Sequence, residues 1–256
     1  MDLGISGKRA LVLGASRGLG QAIAQALAAE GVIVFAAARS VDKIAAYADG
    51  LDNIYPIEMD LGQIEQVDRV VDDLIGDGGV DIIVNNGGGP PPGMAQTAER
   101  AAWLTHFEAM AANVFHLNTQ LLPMMKERQW GRIISITSSG VEQPIPNLAL
   151  SNGIRSAVVG WSKSLANEVA SDGITVNVVM PGRIHTQRVD ELDAAAANRT
   201  ETDVAEVAAK SRATIPAGRY GKPEEFADVV TFLASMRAGY VTGSKIRIDG
   251  GSIKSV

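Results

Sequence analysis

Cysteine is absent from the 256 residues, so no disulfide, thiolate nucleophile or thiolate-bound metal can form. Histidine is scarce. His106, His116 and His185 stand at no metal-ligand spacing, and no metal site is expected. Long apolar runs are missing too. No stretch approaches the roughly 18 residues that a membrane helix requires, and residues 1–7 lack the apolar core of a signal peptide. A cytoplasmic protein with no membrane attachment is the expectation. Basic charge is also in deficit. Lys plus Arg number 23 against 29 for Asp plus Glu, a net charge of −6, which leaves no electrostatic footprint for nucleic acid.

What is present is a chain that is 46% hydrophobic and 20% charged, the composition of a folded globular protein. Short apolar runs recur at Arg9–Leu13, Val32–Ala37, Asn53–Glu58, Ile82–Asn85, Arg132–Ile136, Thr175–Met180 and Lys245–Ile248. They are continuous, not alternating, which predicts strands buried on both faces of a parallel sheet. Helical patterns lie between them at Leu19–Glu30, Gln63–Ile75, Trp103–Arg128 and Asn152–Ser171. The order predicts an α/β fold: a Rossmann-type, doubly wound, seven-stranded parallel sheet with helices on both faces, in a single domain over 1–256. The Gly87–Gly93 cluster follows a strand and reads as a stiff loop at its carboxyl end. The Ala-rich stretch 187–213 is either a lid over the site or an ordinary pair of surface helices.

The first strand runs into Gly14-Ala15-Ser16-Arg17-Gly18-Leu19-Gly20 and then an Ala-rich helix. Glycines at such a turn let the backbone approach a pyrophosphate, and the helix N-terminus offers free N–H groups and a positive dipole end. Dinucleotide sites for NAD usually carry an acidic residue about 20 residues beyond the turn, at the end of the second strand. Here that position reads Ala38-Arg39-Ser40. A guanidinium grips a ribose 2′-phosphate bidentately, so Arg39, with Arg17 as a second cation, favours NADP(H) over NAD(H).

These motifs resemble the short-chain dehydrogenase/reductase family, and the resemblance covers nearly the whole chain. It is strongest to oxoacyl-carrier-protein reductase-like members. Besides the glycine turn, it rests on Met59-Asp60-Leu61, Asn85-Asn86-Gly87-Gly88, Pro181-Gly182-Arg183-Ile184-His185-Thr186, the run Gly218 to Glu225, Val241-Thr242-Gly243 and Asp249-Gly250-Gly251. The resemblance implies that Asp60 bonds the adenine amino group and that Pro181, Gly182, Ile184 and Thr186 lie in the loop near the nicotinamide. It counts Leu61, Asn86 and Gly87 among the cofactor-binding residues.

Family chemistry uses Asn, Ser, Tyr and Lys. Alignment on Gly131 to Ser138 puts the serine at Ser138, with Ser139 as the neighbour one register away. Alignment on Ala157-Val158-Val159-Gly160 puts Ser151 where the family has tyrosine and Arg155 where it has lysine. Ala111 stands at the asparagine position. The tyrosines are Tyr47, Tyr55, Tyr220 and Tyr240, so no local shift restores the motif. A serine hydroxyl is a far weaker acid than a tuned tyrosine, and Arg155 stays protonated. The loss of positioned acid/base help costs about 10²–10⁴-fold in rate. Slow hydride transfer is expected, with Ser138, Ser151 and water carrying the proton, while Arg155 bonds the nicotinamide ribose as the family's lysine does, polarises a substrate oxygen or holds an anion. Glu142 stands in the loop after Ser138, either as an acid of raised pKa in a dry pocket or as a solvated carboxylate. His185 titrates in a useful range or stands on the rim.

Three functions fit. The first is an NADP(H)-dependent oxidoreductase acting on a small carbonyl, alcohol or acyl-thioester substrate. The second is a cofactor-binding sensor or partner subunit without redox turnover. The third is a non-redox enzyme like the halohydrin dehalogenases, which pair Ser and Tyr with Arg but lack the nucleotide glycines. The resemblance also implies a homotetramer or homodimer built on the long helices.

Overall fold

The apolar runs become seven strands in the computed structural model, which describes residues 2–256: β1 Arg9–Leu13, β2 Ile33–Ala38, β3 Ile54–Glu58, β4 Ile82–Asn85, β5 Gly131–Ile136, β6 Ile174–Pro181 and β7 Lys245–Ile248. All pair in parallel, in the order β3-β2-β1-β4-β5-β6-β7. The helices between them are α1 Gly18–Ala29, α2 Val41–Ala48, α3 Ile64–Gly76, α4 Arg100–Phe107, α5 Asn113–Glu127, α6 Ala149–Val169, α7 Gln187–Thr200, α8 Val204–Ala213 and α9 Pro223–Leu233.

Periodicity explains which face each helix buries. In α3, Val67, Val70, Val71 and Leu74 recur at helical spacing and turn inward, while the acidic residues between them face water. With Leu117, Leu121 and Met125 of α5 and Ala166 and Val169 of α6, they cover Leu11, Leu13, Ile83 and Ile133 on one side of the sheet. On the other side α1 and α9 bring Ile23, Leu27, Phe226 and Val230 against Ala10, Val12 and Val34. Burial of each such side chain stabilises the fold by about 1.5–3 kcal/mol.

The expectation of strands buried on both faces holds for β1, β4, β5 and nearly all of β6. It fails at the sheet edges. Tyr55 and Pro56 of β3 and Lys245 and Arg247 of β7 face solvent, because no helix covers the outer flank of an edge strand.

A second correction concerns the stretch Trp103–Arg128, which is not one regular helix. A π-helical segment, Glu108–Ala112, separates α4 from α5. Ala111 is buried there against Leu150, Ile154 and Val158 of α6, and the wider turn lets the chain meet that surface. Residues 187–213 form the helix pair α7 and α8. Among the described residues no helix is long and apolar enough to cross a membrane, and no three His, Asp or Glu residues cluster to hold a metal.

The strand order reverses between β1 and β4, where the chain leaves one half of the sheet and starts the other. The crevice beyond their carboxyl ends is the place where such sheets bind ligands.

Candidate active site and cofactor cradle

The turn between β1 and α1 lies at that crevice. Gly14 has φ +62, a left-handed conformation that side chains other than glycine rarely adopt. Gly20 is closed in by backbone. A Cβ there would run into the Gly14 carbonyl oxygen and come within 2.9 Å of Asn86 Nδ2. Asn86, just after β4, donates from Nδ2 to the carbonyls of Leu13 and Gly14 at 3.1 and 3.3 Å, which ties the two sides of the crevice together. Tyr47 on α2 donates its hydroxyl to the Ala15 carbonyl at 2.9 Å, and burial pushes its pKa up to about 12. No side chain caps the N-terminus of α1, so its first N–H groups point into the turn unclaimed.

The other expected nucleotide residues stand at or just beyond the carboxyl ends of β2, β3, β4 and β6. Arg39 stands exposed at the end of β2. The Asp60 carboxylate accepts from the Gly62 N–H at 3.0 Å, and the Leu61 carbonyl accepts from Asn113 Nδ2 at 2.8 Å. The loop after β6 crosses over: Thr186 Cγ2 lies 3.5 Å from the position a Cβ on Gly18 would take. Gly182 N–H donates to Ile248 O at 2.9 Å, Ile184 is buried, and Pro181 ends β6. Gly87 lies beyond Asn86, where an added Cβ would come within 3.7 Å of Leu61 Cδ1.

Arg17 has partners on another element. Its guanidinium turns away to α7, where Nη1 meets Gln187 Oε1 at 2.8 Å and Glu191 Oε1 at 3.0 Å. That pairing holds the Glu191 carboxyl below the usual range.

Of the catalytic candidates, Ser138 and Arg155 meet the end of β5. Ser138 Oγ accepts from the Gly140 N–H at 3.0 Å, which leaves its own proton free to donate. Thr137, on the same strand face as Ser135, is buried with its hydroxyl unpaired. Ser151 and Arg155 lie one turn apart on α6 and share a face. Arg155 Nη1 donates to Ile136 O at 3.0 Å, and Nη2 approaches to 4.0 Å the position a Cβ on Gly89 would take. Burial lowers its pKa to about 10, with no carboxylate contributing. The guanidinium is thus wedged between β5 and the loop after β4, with donors to spare. Beneath it, Asn118, Asn85, Ser135 and Ser162 form a buried hydrogen-bonded chain.

No tyrosine reaches this point. Tyr47 holds the glycine turn, Tyr220 donates to Asp193 Oδ2 at 2.7 Å, Tyr55 stacks on Phe35 and Tyr240 is in water. Ala111 is a buried packing residue. Glu142 corrects both readings of that residue. It is neither a dry acid nor a solvated carboxylate. Lys245 Nζ at 2.8 Å and Arg247 Nε at 2.5 Å grip it from β7, and its pKa is lowered, with Lys245 the leading cause. His185 stands on the rim, 3.1 Å from Asp190 Oδ1. Asn152, next to Ser151, escaped sequence reasoning. Its Nδ2 donates to Ile145 O at 2.9 Å and pins the loop after Ser138. Nothing in its spacing marks it.

A family model described as enoyl-(acyl carrier protein) reductase matches residues 14–252. The chain belongs to the short-chain dehydrogenase/reductase family. This family member is 35% identical over 251 residues to the 3-oxoacyl-(acyl-carrier-protein) reductase FabG of Haemophilus influenzae, covering 96% of this chain and 98% of that one. Its fold superposes on L-sorbose reductase from Gluconobacter frateurii, solved with NADPH and L-sorbose, with a TM-score of 0.94 over the full length of both chains and 33% identity. YwfH, an NADPH-dependent reductase involved in bacilysin biosynthesis, superposes with a TM-score of 0.93 at 26% identity, covering 98% of this chain and all of that one.

Proposed function

We propose that this chain is an NADP(H)-dependent short-chain oxidoreductase that moves a hydride between the cofactor and a carbonyl or alcohol compound, with Ser138, Ser151 and Arg155 in place of the usual tyrosine and lysine. The observation that carries it is the cradle at Gly14–Gly20. Its turn has no room for a Cβ at Gly20 and ends on an uncapped helix N-terminus, which suits a pyrophosphate. Arg39, at the end of β2 where NAD sites carry a carboxylate, suits a 2′-phosphate. The reductases it resembles are named for NADPH or were solved with it. Asp60 and Leu61 would take the adenine end. Asn86, Gly87 and the Pro181–Thr186 loop would take the nicotinamide end.

When bound, the cofactor supplies or accepts the hydride. Ser138 and Ser151 offer hydroxyl protons to the substrate oxygen, and Arg155 places positive charge beside it. None of these is an acid tuned near neutral pH, so proton delivery runs through the serines to water and turnover on a simple ketone is slow. The 187–213 helix pair forms the lid over this crevice, and the assembly is a homotetramer or homodimer in the cytoplasm. A light-scattering mass equal to one 26.9 kDa chain would remove the oligomer.

One observation favours a second reading, a cofactor-binding sensor or partner subunit without turnover: no tyrosine lies near Ser138. NADPH oxidation over a panel of ketones, diketones and acyl-thioesters decides between them. Turnover by the native protein supports the oxidoreductase. NADPH binding with no oxidation on any substrate supports the sensor.

A further inference from the structure

The cofactor crevice lies beyond the carboxyl ends of the strands. A second concavity opens nearer their amino ends, on the side of the sheet that α6 covers. Ile246 and Ile248 of the edge strand β7 pack toward α1 and α9, so Lys245 and Arg247 project to the α6 side. Between α6 and the start of β7 this leaves a slot of about 260 Å³. Val176 and Val178 of β6 form one wall, and Val159 and Ser162 of α6 form the other. Ser162 is buried and bonds Ser135 Oγ at 3.5 Å, so the interior of the slot is chiefly apolar.

The rim is cationic. Lys163 Nζ reaches across to the Gly243 turn, 2.5 Å from the position a Cβ on Gly243 would take. Only a glycine there leaves the ammonium that place. Among the described residues no carboxylate pairs with Lys163, while Lys245 and Arg247 already hold one, that of Glu142. Three cations against one carboxylate make this a locally positive spot on a chain of net charge −6. A narrow apolar slot below two ammonium groups is complementary to a small molecule with a hydrocarbon tail and an anionic head.

We propose that this slot binds a medium-chain aliphatic carboxylate, its head held by Lys163 and Lys245 and its chain laid between Val159, Val176 and Val178. The volume suits a chain of about six to eight carbons, since it falls below the usual range for drug-sized ligands. Each methylene moved from water into the slot tightens binding by about fourfold. Charge-assisted bonds from the lysines add about tenfold or more. The site is separate from the crevice and independent of the hydride-transfer reading. Lys245 is shared with Glu142, so an occupied slot lies one contact from the loop after Ser138.

Isothermal titration of the full chain with octanoate tests this, with and without saturating NADP⁺. Expected is one site per chain whose affinity NADP⁺ leaves unchanged. Hexanoate and butanoate bind progressively more weakly, by about fourfold per methylene. Octan-1-ol, which lacks the charge, binds about tenfold or more weakly. Lys163→Glu loses binding to a similar degree, and Lys163→Arg keeps it. Lys163 is exposed, so circular dichroism of both variants is expected to stay native.

A second variant reads the tail separately. Val159→Phe fills the slot, and octanoate then binds no better than butanoate. No octanoate binding, equal affinity in the native protein and Lys163→Glu, or a chain-length dependence that survives Val159→Phe overturns the proposal. Displacement by NADP⁺ also overturns it, by placing the ligand in the crevice. So does a change in light-scattering mass on Lys163→Glu, which would show that a second copy of the chain covers the slot.

Discussion

Arg17 and Glu191, 174 residues apart, meet at 3.0 Å and join the glycine turn to helix α7. The second cation that sequence reasoning offered to a 2′-phosphate is held by the segment read as a lid or a helix pair. Both side chains are close to half exposed, so water and salt screen the pair and it contributes little to stability.

If Arg17 exchanges Glu191 for the phosphate, Glu191→Ala removes a competitor. NADPH then binds about two- to fivefold tighter, and NADH affinity stays unchanged. Isothermal titration with both nucleotides reads this. Unchanged NADPH affinity, with faster proteolysis within 187–213, would make Arg17 a latch alone.

Arg39 carries the larger share of cofactor discrimination. Charge-assisted bonds contribute about 1.5–3 kcal/mol, so Arg39→Ala weakens NADPH binding by roughly tenfold or more. NADH is spared, because it lacks the 2′-phosphate. Equal losses for both nucleotides would remove Arg39 from the phosphate site.

Restoring the family's pair tests whether the proton donor alone limits ketone reduction. Ser151→Tyr/Arg155→Lys places a phenol on the α6 face that already carries both residues. Cyclohexanone reduction is expected to rise by about 10²–10⁴-fold, the usual contribution of a positioned acid. No gain, with NADPH still bound, would mean that the substrate oxygen lies elsewhere.

Glu142 ties the loop after Ser138 to β7. Its pKa is depressed in the fold, mainly by Lys245 and then by Arg247. The stabilisation is therefore fully present above the ordinary carboxylate range and fades as pH falls through the depressed value. Glu142→Gln is expected to lower the melting temperature near neutral pH by about 2–4 °C, the equivalent of roughly 1 kcal/mol in a chain of this size. The gap between variant and native protein closes in acid. A gap that is constant with pH would assign the effect to packing.

Much of the fold was legible because it is encoded locally. The bounds of β1, β4 and β7 coincide with the apolar runs, and the glycine turn announces itself by three glycines between a strand and a helix. Sequence register supplied Ser138, Ser151 and Arg155 as candidates, and the fold puts Ser138 just beyond β5 and the other two on one face of α6. It was not legible where a side chain's partner is remote. The π segment at Glu108–Ala112 has no side-chain signature of its own, since it follows from how Ala111 packs on α6. Asn152 and Thr137 gain their meaning only from a loop and a strand face brought alongside.

The sequence by itself determined the parallel α/β architecture, the nucleotide turn, the basic residue at the end of β2 and the loss of the tyrosine and lysine. These depend on residue type and spacing along one element. Only the tertiary structure decided that Arg17 pairs with Glu191, that Glu142 is locked by Lys245 and Arg247, and that Arg155 is wedged without a counter-charge against Ile136. Each of these depends on which distant elements the sheet order places side by side. The energy of a charge is set by those neighbours and by the water they exclude.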